Sequence, residues 1–287
     1  MHVEQALSRT TLPAKNWIGR LKLNRQLRSF RKTVGRSLRP GVELKLLRLR
    51  HGVGFADKRV LEIGGDLDAK VARACLALGA KHVTSINHDS RFRPRSDERS
   101  RFMRMDATRL DLPADHFDLV LGFAVLEHVR GPERMLDGIR RVARPGAHVY
   151  LHGGPLWNSR KGHHVVAKGP SGKEWRFDGR PGTSNPLEDW EHLRREPPEL
   201  RDRLVEKGCP TGDADAIVDS VFDSDYINRY PVAHIKRCFA ASGFATLECI
   251  ESKHGRESDG MLAELSRRHA MPESEFETDS IEFLLRK

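Results

Sequence analysis

Three closely spaced histidines carry the clearest potential for proton chemistry. His152, His163 and His164 lie within HGGPLWNSRKGHHVV, residues 152–166. An imidazole titrates near neutrality, so each is a candidate general base for a hydroxyl nucleophile, a role worth roughly 10²–10⁴-fold in rate. Each is equally suited to holding its loop together through hydrogen bonds. The adjacent pair also raises the question of a metal ion. Neighbouring histidines rarely aim at one ion, and no nearby cysteine or carboxylate cluster completes a tetrahedral set, so no metal is expected. Trp157, Trp175 and Trp190 follow, offering flat apolar faces on which a sugar or planar ring can stack. Arg229 can grip a phosphate or carboxylate bidentately, or brace its segment against Asp223 or Asp225; bracing is the expectation.

A second constellation is VLEIGGDLDAK, residues 60–70. Glu62 can accept hydrogen bonds from a cationic amino group, and Gly64 and Gly65 let the backbone approach a ligand with no side chain between. Asp66 and Asp68 stand where a longer glycine run would continue. A nicotinamide enzyme would show the fuller G-x-G-x-x-G turn.

The elements around these residues alternate. Apolar runs at 60–63, 82–86, 102–105, 117–122 and 148–152 read as strands, with helical stretches at 71–78 and 125–142. Gly79 ends the first helix and Pro145-Gly146 the second. Such alternation implies βαβ units and a mostly parallel sheet. Residues 153–229 break the rhythm, being rich in Gly, Pro, Trp, His and charge with no convincing strand. A helix at 232–241 and strands at 244–250 and 281–285 then close the sheet.

The order of signals is specific. In MDATRLDLPADHFDLVLGFAVLEHV (105–129), Asp106-Ala107 follows a strand and Phe117-Asp118 precedes an apolar one. Leu126-Glu127-His128-Val129 then falls in the next helix, and IRRVARPGAHVYL (139–151) follows at the expected distance. Over residues 58–152 the chain resembles the class I methyltransferases, in particular their small-molecule branch with a LEHV-type helix and an RPG turn. That resemblance implies a doubly wound, mostly parallel seven-stranded α/β sheet and the cofactor S-adenosyl-L-methionine. It assigns Glu62, Gly64 and Gly65 to the methionine end, Asp106 and Ala107 to the adenine, and Phe123 and Ala124 to the neighbourhood of the sulfonium. Asn87 takes the place of the usual ribose-binding carboxylate; Asp89 can substitute if it swings in. The resemblance also places the loop bearing His152, His163 and His164 toward the methyl group. The division that follows is a basic helical extension (1–54), a cofactor-binding core (55–152), an inserted substrate cap (153–229) and the end of the core (230–287).

Net charge is +10 and the isoelectric point near 9.7, which favours polyanionic surroundings. Much of the charge sits early: no acidic residue lies between Glu4 and Glu43. At about 100° per residue, Leu23, Leu27, Phe30 and Val34 share one stripe while Arg25, Arg28, Arg31, Lys32 and Arg36 share the remaining arc. Trp17 and Leu21 project toward the charged arc. The stripe is expected to cover the protein's own core; the alternative is contact of residues 15–39 with an anionic membrane. Four cysteines without metal-ligand spacing, no apolar run long enough to span a bilayer and no secretory signal point to the cytoplasm. The expected acceptor is a small molecule, a saccharide or a glycolipid. An RNA acceptor rests only on the basic extension, since no N-P-P-Y motif for a flipped base is present. A non-catalytic binding protein is the third alternative, motivated by Asp66, Asp68 and Asn87.

Overall fold

The computed structural model describes the backbone of residues 17–253 and 259–287, with side chains from Lys22 onward except those of 254–259. Trp17, Leu21 and the first residues of the 15–39 segment thus lie outside the described side chains. In chain order the elements before the insertion are α1 (Trp17–Val34), α2 (Pro40–Gly52), β1 (Arg59–Ile63), α3 (Lys70–Ala77), β2 (His82–Asn87), β3 (Arg95–Ser96), β4 (Ser100–Arg104), β5 (Phe117–Gly122), α4 (Pro132–Val142) and β6 (Ala143–Gly153). The insertion contributes β7 (Val166–Lys168), β8 (Glu174–Arg176), α5 (Glu191–Arg194), α6 (Pro197–Glu206) and α7 (Thr211–Phe222). The chain ends in α8 (Val232–Ala241), β9 (Ala245–Lys253), α9 (Asp259–His269), α10 (Ser274–Glu277) and β10 (Thr278–Arg286).

The sheet has eight strands, ordered β3-β4-β2-β1-β5-β6-β10-β9, one more than expected. The extra strand is the two-residue β3, which pairs antiparallel with β4 at the edge; a segment so short carries no readable period. β4, β2, β1, β5 and β6 are mutually parallel, while β10 runs antiparallel between β6 and β9. Strand order reverses around β1 and β5, so their carboxyl ends open at the switch point where such sheets bind ligands.

Each face of the sheet has its own helical layer. Met135, Leu136 and Ile139 of α4 pack with Ile235 and Phe239 of α8 on one face. On the other, Leu46 and Leu49 of α2 and Ala72 and Cys75 of α3 are buried with Phe30 of α1. Leu23, Leu27 and Val34 border that same cluster, so the apolar stripe of α1 covers the core. Insertion of the stripe into a bilayer would require α1 to leave it; Lys22, Arg25, Arg28 and Lys32 remain exposed on its other side. Arg31 is held by Glu43 of α2 through two 2.7 Å hydrogen bonds. Among the described residues no helix is long and apolar enough to cross a membrane.

Two details depart from the expected elements. Residues 123–130 form turns rather than the first half of a long helix; α4 begins only at Pro132, after Gly131 at φ +101°. Proline suits the first helical turn, where its missing N–H is no loss. The insertion contains a small hairpin, β7 against β8, and a core of its own around Trp175, Leu200, Leu204 and Ile217. Its Trp190 and Leu193 also pack on Leu262, Leu265 and Phe276, tying it to the segment between β9 and β10.

Candidate active site

The turn after β1 is shaped by what surrounds its glycines. Gly64 sits at φ +73°, and a Cβ there would lie 2.9 Å from Val125 Cγ2. A Cβ on Gly65 would collide with Ser85 Oγ. That hydroxyl donates a 2.7 Å hydrogen bond to Glu62 Oε2, so Glu62 is turned beneath the turn and is only 3% exposed. Burial pushes its carboxyl up to about 8, against the Ser85 hydrogen bond, which favours the ionised form. Below pH 4.5 both folded and unfolded states hold this proton. Between there and about pH 8 only the folded state keeps it, so the protein loses stability as pH rises, by up to about 1.4 kcal/mol per pH unit. Glu62→Gln should therefore gain in melting temperature relative to wild type between pH 5 and pH 8. Parallel melting curves across that range would refute the assignment.

Asp66 and Asp68 leave the mouth open. The Asp66 carboxylate folds back to accept the backbone N–H groups of Asp68, Lys70 and Val71 at 2.9–3.3 Å, capping α3. Asp68 is 68% exposed and pairs with Lys70. Asn87, at the end of β2, is engaged on both sides: its Nδ2 donates to Gly65 O at 2.8 Å and its Oδ1 accepts Asp89 N–H at 2.9 Å. Asp89 is held by Arg91, whose guanidinium and backbone N–H pull its carboxyl down to about 2. The ribose position therefore carries an amide that braces the glycine turn, and the nearby carboxylate is already paired.

Asp106 is exposed after β4; its Oδ1 accepts Thr108 N–H and Oγ1, while Ala107 is half-buried against the core. Beyond β5, Phe123 packs its ring 5.5 Å from that of Tyr150. Ala124 is exposed in the left-handed region, φ +53°. The residues present suit an adenosyl sulfonium ligand at both ends. The turn whose glycines admit no Cβ would meet the methionine part, and the exposed Asp106 carboxylate, with an oxygen to spare, would meet the adenine. At the ribose, only neutral or already paired groups are present.

The three histidines part company. His152 accepts Ala124 N–H on Nδ1 at 3.2 Å, so it fixes the backbone of the turn beyond β5; burial lowers it to about 4. His163 is fully buried inside the cap, its Nδ1 accepting Val165 N–H and its ring 5.5 Å from that of His192. It is not brought to the mouth. His164 turns the other way, toward His128, with ring centroids 5.6 Å apart; burial lowers it to about 3. All three are neutral at pH 7, and imidazoles of such depressed basicity accept protons poorly. Arg229 donates to the carbonyls of Val221, Phe222 and Ser224. It braces the end of α7, although through carbonyls and not through Asp223 or Asp225.

Sequence reasoning gave no role to Glu127, His128, Tyr226 or Asn228. Asn228 Nδ2 donates to Leu126 O (2.5 Å) and Val129 O (2.8 Å), and its N–H donates to Glu127 O (2.8 Å). Tyr226 O accepts from His128 Nδ1 at 2.6 Å. The cap is thereby fastened to the turn beyond β5. The LEHV string marked that turn, but nothing in residues 224–230 announced its partner.

A family model for the methyltransferase domain matches residues 61–151. No curated protein matches the sequence. Among solved structures, an S-adenosylmethionine-dependent methyltransferase of Mesorhizobium loti is 16% identical, with 82% of this chain and 93% of that one covered and a TM-score of 0.47. Phosphoethanolamine N-methyltransferase 2 of Haemonchus contortus, solved with S-adenosyl-L-methionine, is 12% identical, with 91% and 56% covered and a TM-score of 0.47. The matched domain holds the glycine turn, Asp106 and the turn beyond β5. The protein is an enzyme whose residues 61–151 form a class I S-adenosyl-L-methionine-dependent methyltransferase domain.

Proposed function

We propose that the enzyme methylates a small hydroxylated acceptor, a saccharide or the headgroup of a glycolipid, held by the 153–229 cap. The observation that carries this reading is the fastening of the cap to the turn beyond β5 by Asn228 and Tyr226. It brings His164 of the cap beside His128 of that turn, with ring centroids 5.6 Å apart. Between the cap and the C-terminal part of the core lies a cavity of about 240 Å³, lined by Trp157, His192 and Arg229 of the cap and by Pro231, His269 and Met271. His192 stands edge-on to Trp157, 4.7 Å between ring centroids, and the Arg229 guanidinium lies 5.2 Å from the Trp157 ring. His192 Nδ1 and Arg229 Nε are buried without a protein partner. An aromatic face flanked by unmet polar atoms suits a sugar ring.

S-adenosyl-L-methionine, when bound, supplies an electrophilic methyl group, and Gly64, Gly65, Asp106, Ala107, Phe123 and Ala124 are the residues that would hold it. The chain's own contribution is orientation and exclusion of water, on the order of 7–11 kcal/mol in favourable cases. His152 positions the Ala124 backbone.

The test is incubation with methyl-labelled cofactor and cell extract, followed by separation into glycan, glycolipid, protein and RNA fractions. Label in glycan or glycolipid is expected, with Trp157→Ala losing at least tenfold in turnover and little in cofactor binding. Label in RNA, released steeply by salt, would instead support the basic face of α1 as an RNA contact. Co-sedimentation with anionic vesicles, with and without residues 1–40, tests the membrane alternative. Cofactor binding without label in any fraction would support a non-catalytic role.

A further inference from the structure

Beside the cap junction, three side chains converge in a way that methyl transfer does not require. Glu127 and His128 come from the turn beyond β5, and His164 from the cap. One donor atom from each lies within 4.8 Å of the other two. The histidines are already set for a ligand. His128 Nδ1 faces Tyr226 O (2.6 Å) and His164 Nδ1 faces Gly162 O (3.1 Å). A carbonyl only accepts, so both Nδ1 atoms carry the proton and both Nε2 lone pairs are free. That is the arrangement by which metal-binding histidines are oriented through their second nitrogen. Glu127 is 1% exposed, and its Oε2 is enclosed with no hydrogen-bond partner. His128 Nε2 stands 3.9 Å from Glu127 Oε1, too far for a hydrogen bond. The backbone of His164 is meanwhile held at φ +45°, a conformation that favours glycine.

We propose that Glu127, His128 and His164 bind a divalent transition-metal ion of borderline softness, of the Zn(II) or Co(II) type, bridging the core and the cap. Two imidazoles and one carboxylate form a donor set suited to such ions, whereas Mg(II) and Ca(II) prefer oxygen alone. Donors about 2.1 Å from an ion sit roughly 3–3.5 Å apart, so side-chain rotation must close the trio by about 1 Å. Three protein ligands leave a fourth position for water or an oxygen of a bound molecule. His128 is 23% exposed at its side chain, which gives that position a route to solvent. The sequence reading paired His164 with His163 and so expected no metal; here His164 is combined with residues 36 and 37 positions earlier in the chain. The inference does not depend on the acceptor.

Another trio, Glu133, His234 and Cys238, also has metal-compatible spacing. Its groups satisfy one another, with Cys238 Sγ donating to Glu133 Oε1 at 2.9 Å. It serves as the control.

The experiment uses untagged full-length protein, stripped with chelator and titrated with Co(II) alone. Visible absorption reads the coordination and calorimetry the stoichiometry. One ion per chain is expected, with the visible bands of four- or five-coordinate Co(II), displaceable by Zn(II) and not by Mg(II). His164→Ala and His128→Gln should each lower affinity at least about 10–100-fold, and Cys238→Ser should leave it unchanged. Circular dichroism and melting without metal check that each variant folds. His128→Gln, at a partly exposed position, keeps a donor for Tyr226 O should His164→Ala fail to fold. No binding by the wild type would overturn the proposal, as would binding lost in Cys238→Ser and retained in the histidine variants.

Discussion

Gly65→Ala should abolish measurable S-adenosyl-L-methionine binding and lower the melting temperature by several degrees. The added methyl collides with Ser85 Oγ. Ser85 can yield only by rotating, which removes the hydrogen bond it donates to Glu62. A fully enclosed carboxyl is then left without its donor, at a cost of about 1–3 kcal/mol. Movement of the turn instead breaks the 2.8 Å bond between Asn87 and Gly65 O and displaces the backbone that must meet the cofactor. A double-mutant cycle separates these causes. In a Ser85→Ala background, which has already lost the hydroxyl, Gly65→Ala should cost less than half as much as in wild type. An undiminished cost there would mean that the obstacle is not Ser85.

Asn228→Ala is expected to have the next largest effect, and to act through the cap. The amide serves two carbonyls of the turn beyond β5 at once, and the neighbouring backbone N–H serves a third. Removing the side chain strands Leu126 O and Val129 O, a loss of roughly 2–4 kcal/mol if both stay buried. The turn carries Ala124, and displacement of about 1 Å in such a position can cost 10²-fold in rate. Turnover should thus fall on the order of 10²-fold while cofactor affinity changes little, and protease should cut residues 153–229 well before the core. Asn228→Asp should be no better, since it sets a carboxylate oxygen against two carbonyl oxygens. Wild-type turnover and protease resistance in Asn228→Ala would show that the cap is held by other means.

The core was legible because its signals are local and periodic. The predicted helix at 232–241 coincides with α8, and the strand at 117–122 with β5. The apolar stripe of α1 correctly pointed inward, since Phe30 is wholly buried. What escaped was non-local. Asp66, whose departure from glycine motivates the non-catalytic alternative, turns its side chain back onto the N–H groups of Lys70 and Val71, a direction that residue type alone does not reveal. Asn87 was read as a ligand-facing amide, yet a backbone carbonyl 22 positions earlier engages it. His163 and His164 are neighbours in sequence whose rings meet different partners, His192 and His128, with the His164 backbone in the left-handed region. The insertion hid its hairpin since strands of three residues are too short for alternation to register.

The most direct check of the account is calorimetric titration of the full-length protein with S-adenosyl-L-methionine, paired with a thermal-shift measurement. One site per chain is predicted, with a melting temperature that climbs with ligand concentration as binding to the folded state requires. Absence of both heat and shift at millimolar ligand would contradict it. The mouth of the sheet would then be a cofactor site in outline only.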